Sequence, residues 1–70
     1  MKRSNQNIED TLEMTDSMIE LALKGDAERE DKGCGILYGI LLDSAYKIKK
    51  MAELEKQAHI KEGGWGTEEC

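Results

Sequence analysis

Four side chains of this 70-residue sequence stand out, by type and spacing, as candidates to bind a metal or react as thiols: Cys34, Glu55, His59 and Cys70. Cys34 lies between Gly33 and Gly35 at the head of an apolar run, "GCGILYGILLD". A cysteine beside a helix N-terminus with small neighbours is open to oxidants and metals. His59 follows Glu55 by four residues, so on a helix the imidazole and the carboxylate share one face and can meet at one ion, with Glu62 within reach. Cys70 closes the tail "EGGWGTEEC", beside Glu68 and Glu69. In an antiparallel dimer, Cys34 of one copy would approach His59 of the other. Each residue also has a plainer reading. Cys34 suits the end of a core stripe as a small apolar residue, His59 suits a solvent-facing position beside an acid, and Cys70 suits a flexible tail.

The rest of the sequence offers little to a reaction. One histidine must serve every proposal, no Ser–His–Asp or Cys–His–Asp set stands out, and no glycine-rich phosphate loop follows a strand. Asp43 interrupts the apolar run and, with Lys47 four residues on, reads as a helical ion pair; the sharper alternative makes Asp43 and Tyr46 polar anchors in an interface. The chain is therefore expected to be no enzyme and to need no cofactor. A net charge of −5 with lysines spread around the helix argues against nucleic acid, which requires clustered Lys and Arg. No apolar run nears the ~20 residues of a membrane span, and the opening "MKRSNQNIED" lacks the apolar core of a secretory signal. The expectation is a cytoplasmic protein with no membrane contact, whose two cysteines stay thiols.

Those side chains have to be positioned by helices. The sequence contains no Pro and no Phe, while Leu, Ile, Met, Ala, Glu and Lys dominate two periodic segments, so the fold class expected is all-α. Ile8, Leu12, Thr15, Ile19 and Ala22 recur at spacings of four and three, with Met14, Met18 and Leu21 as a second stripe beside them. Asn7, or Ser4, would cap this helix and Gly25 would end it, giving a helix over 7–24. The loop is expected over 25–33, where Gly33 and Gly35 weaken a helix; the alternative starts the second helix at an Asp26 cap. Helix two is expected over 34–61, with Cys34, Leu37, Leu41, Ala45, Ile48 and Ala52 in line, Tyr38 beside them, and a tail over 63–70.

Both helices carry more apolar surface than one neighbour covers. The apolar arc of the first spans about 200°, twice what a single contact needs, and the second is apolar almost all round near "ILYGILL". Helix one, at about 25 Å, would leave residues 51–60 of a roughly 40 Å helix two uncovered. An antiparallel hairpin that dimerises into a four-helix bundle resolves both excesses. The interface expected comprises Ile36, Leu37, Tyr38, Gly39, Ile40, Leu41 and Leu42, with Met14, Met18 and Leu21; Gly35 and Gly39 leave a notch for close approach. Trp65 either folds back onto exposed apolar surface, the favoured reading, or is presented to a protein partner. The function expected is a non-catalytic interaction and dimerisation module. The alternative is a thiol- or metal-responsive protein using Cys34, Glu55, His59 and Cys70.

Overall fold

A computed structural model describes residues 2–65. Two helices form an antiparallel hairpin, α1 over Arg3–Ala27 and α2 over Lys32–Lys61. The expected stripe of α1 is the one that faces α2: Thr15 and Ala22 are buried, and Ile8, Leu12 and Ile19 are half-buried. On α2 the buried positions are Ala45 and Ala52, flanked by half-buried Cys34, Tyr38, Leu41 and Leu42. Small residues at the contact line let the two backbones lie close together. The core they leave is thin, and the fully buried apolar residues are all alanines.

Both ends of α1 differ from the expected 7–24. The helix starts four residues earlier, at Arg3, behind Lys2, whose side chain makes no capping bond; Ser4 and Asn7 lie inside it. Stepping the contact stripe back three residues from Ile8 reaches Asn5, which is wholly buried against the far end of α2, and this contact draws the first turn into the helix. At the other end Gly25 is helical. Tyr38 packs so closely over it that an added Cβ would lie 2.4 Å from the ring, and that contact outweighs the roughly 1 kcal/mol helix penalty of glycine. The helix closes instead at Glu28, whose amide donates to the Lys24 carbonyl at 3.0 Å, while the next amide, of Arg29, donates to the Asp26 carbonyl.

The turn is correspondingly short. Asp31, rather than Asp26, caps α2: its carboxylate accepts from the Cys34 amide at 2.7 Å. Gly33 and Gly35 therefore fall in the first turn of the helix. The Arg29 side chain, paired with Asp26 at 3.0 Å, occupies the space where a Gly35 Cβ would project. The notch expected at Gly35 is thus filled, while Gly39 faces open space.

Antiparallel register is marked by Glu9–Lys56 at 3.0 Å and Asp16–Lys49 at 3.3 Å. At 25 and 30 residues the helices nearly match, so α1 reaches the level of His59 and no uncovered overhang exists over residues 51–60. Met51, Leu54 and Ile60 are still exposed, because they lie off the contact line and not beyond the end of α1. The hairpin is a rod, with a radius of gyration of 15.5 Å against about 11 Å for a compact domain of this length.

Candidate interaction face and the His59 clasp

At about 100° per residue, Thr11, Met14, Met18 and Leu21 fall on one flank of the α1 contact line. Leu37, Ile40, Ile48, Met51 and Leu54 fall on the flank of α2 that an antiparallel pairing brings to the same side. A groove lined by Ile8 and Thr11 from α1 and by Ile48, Met51, Ala52, Leu54 and Glu55 from α2 joins the two stripes. Met14 (66%), Ile40 (62%) and Met51 (69%) are among the most exposed apolar side chains here. The opposite flank carries Glu9–Lys56 and Asp16–Lys49. One side of the rod is therefore apolar and the other charged.

The residues expected at an interface divide accordingly. Met14, Leu21, Ile36, Leu37 and Ile40 are exposed, whereas Met18, Tyr38, Leu41 and Leu42 are half-buried within the hairpin. Gly39 is exposed, on the flank away from the apolar face. Asp43 pairs with Lys47 at 3.4 Å, both side chains exposed.

A second constellation closes the open end of the hairpin. Asn5 Nδ2 donates to the Gly64 carbonyl at 2.7 Å, and Asn5 Oδ1 meets His59 Nδ1. The chain reverses at Gly63, whose φ of +79° lies in the left-handed region that glycine accepts. The Gly64 amide then donates back to the His59 carbonyl at 3.0 Å. Trp65 folds back, its ring edge against the His59 imidazole with centroids 6.5 Å apart, and the Lys56 ammonium lies 5.0 Å from the Trp65 ring. Glu55 Oε2 stands 3.5 Å from His59 Nε2.

Among the residues expected to hold a metal, Glu55 and His59 come together. Cys34, at the other end of α2, is about 37 Å along the helix from His59, and Cys70 lies outside the described residues. Among the described residues no group of three or more His, Cys, Asp and Glu side chains could hold an ion. The clasp residues absent from the sequence reading, Asn5 and Gly64, were within reach in part: Asn5 continues the stripe of Ile8 and Leu12 by one step, while nothing local marks Gly64. Among the described residues no helix is long and apolar enough to cross a membrane. No family model, curated protein or solved structure matches the chain, so fold and geometry alone define its class, an all-α helical hairpin.

Proposed function

We propose that this chain is a non-catalytic interaction module that works in the cytoplasm and docks a second copy of itself on its apolar face, giving a four-helix bundle. The observation that carries this reading is the inversion of the usual order of burial. Alanines fill the core, while Met14, Leu21, Leu37, Ile40, Met51 and Leu54 are each more than half exposed. Their full burial is worth about 1.5–3 kcal/mol per side chain, enough in sum to offset the entropy of association.

Area supports a second copy. The chain exposes 5333 Å², against about 4,400 Å² for a compact monomer of this mass, and the excess is close to the ~800 Å² that each partner buries in a standard interface. Charge supports it as well. Although each copy is acidic, the α1 stripe of Thr11, Met14, Met18 and Leu21 has no charged member, and α2 brings one charge of each sign to the face, Lys47 and the groove residue Glu55. The face is therefore close to neutral, in contrast to the chain as a whole.

Sedimentation equilibrium of the full chain from low to high micromolar concentration tests this. A dimer is expected, and the Ile40→Glu/Met51→Glu double variant is expected to be monomeric with its helicity retained. A wild-type chain that stays single at the highest concentration would sink the proposal.

A further inference from the structure

Resting on the dimer proposed above, we infer that the second copy docks reversed end for end. In this arrangement α1 lies against α1 of the second copy, α2 lies against its α2, and the two-fold axis crosses the apolar face at the level of Ser17 and Lys47. Burial of apolar area does not select it, because a copy docked in the same direction, with α1 on the other α2, covers the same face. Shape and charge along the rod do select it. The ion pairs Glu9–Lys56 and Asp16–Lys49 fix which residues share a level: to within one residue, Asp10 is level with Leu54, Ser17 with Lys47 and Lys24 with Ile40.

The groove sits toward the open end of the hairpin, between Ile8 and Thr11 of α1 and Met51 and Leu54 of α2. Leu21, Leu37 and Ile40 project from the same face nearer the turn, each more than half exposed. A copy docked in the same direction sets groove opposite groove and leaves a void, which forfeits packing. Reversal brings Ile40 of the second copy into the groove beside Leu54, and Leu21 of the second copy beside Met14. Charge agrees. Arg3, Asp10, Ser17 and Lys24 recur at seven-residue intervals along the outer rim of the α1 stripe, all exposed. With Ser17 at the axis, Asp10 of each copy faces Lys24 of the other, giving two opposite-sign pairs at the rim positions that set partner choice and orientation between paired helices. Docking in the same direction puts Arg3 opposite Lys61, Asp10 opposite apolar Leu54 and Lys24 opposite apolar Ile40. In the reversed dimer Lys47 meets its own copy near the axis, and each is paired with its own Asp43 at 3.4 Å.

Cross-linking reads the arrangement. Full chains carrying Ser17→Cys are mixed with full chains carrying Lys47→Cys, both on a Cys34→Ser/Cys70→Ser background, treated with a short bis-maleimide and weighed by intact-mass spectrometry. Expected are linked 17–17 and 47–47 pairs and no 17–47 pair, since only the reversed dimer brings each position next to itself. A second arm keeps the native cysteines: Lys24→Asp should weaken the dimer about 2–30-fold through the two pairs it reverses, and adding Asp10→Lys should restore it, both read by sedimentation equilibrium. A dimer that gives 17–47 pairs, a dimer without the 17–17 link, or a double variant no tighter than Lys24→Asp would each overturn the reversed arrangement while leaving the docking of two copies intact. A wild-type chain that stays single would overturn both.

Discussion

Individual polar side chains hold the two ends of this rod. Asn5 ties α1 to both His59 and the Gly64 carbonyl from a fully buried position, and removing one partner from such a network costs about 1–3 kcal/mol. Asn5→Ala is therefore expected to lower thermal stability by that amount and to shift Trp65 emission to the red, read by melting and fluorescence. At the other end, Asp31 is held below the ordinary carboxyl value of 3.8, chiefly by the Cys34 amide, then by the Cys34 thiol and the Gly33 amide. A depressed folded-state value means that the cap contributes fully above the ordinary value and that its contribution fades as pH falls through the folded one. Asp31→Asn still accepts the Cys34 amide bond, so its melting temperature should fall less steeply than wild type below about pH 4. Circular dichroism melts across the acid range check this, and parallel acid limbs would contradict it.

Within the helices, glycine marks where packing overrides propensity. Gly25 and Gly39 are both helical, yet Tyr38 fills the space beside Gly25 and nothing lies within 4 Å of a Gly39 Cβ. Gly39→Ala should stabilise the chain by about 0.8–1 kcal/mol, the full helix-propensity gain. Gly25→Ala receives the same gain but forces the Tyr38 ring aside, an overpacking cost of about 1–3 kcal/mol, and should be neutral to destabilising. Chemical denaturation of the two variants separates these outcomes. The same pair shows what was legible: the 3–4 stripe of Ile8, Leu12, Thr15, Ile19 and Ala22 predicts the packed face of α1 from spacing alone. The ends of α1 were not legible, because Tyr38 and His59, which extend it past Gly25 and back to Arg3, are distant in sequence.

For the molecule as a whole, the decisive property is the division into an apolar and a charged side. Ile40 and Met51 are exposed in the hairpin, so replacing either with Glu in a monomer should change stability by no more than about 0.5 kcal/mol. In a dimer that buries the face, each substitution is expected to abolish association and to remove the dependence of melting temperature on protein concentration that coupled folding and binding produce. Melts over a hundredfold concentration range read this directly. The ion pairs Glu9–Lys56 and Asp16–Lys49, partly exposed on the other side, contribute about 0–1 kcal/mol each and act on register more than on stability.

Helix-forming composition and apolar spacing are local properties, and through them the sequence by itself determined two helices, their antiparallel pairing and the surplus of apolar surface. Where the helices end, which apolar residues face outward together and how His59 is held depend on contacts between residues as far apart as 5 and 64. Those contacts exist only once the chain has doubled back, so the tertiary structure alone decided them.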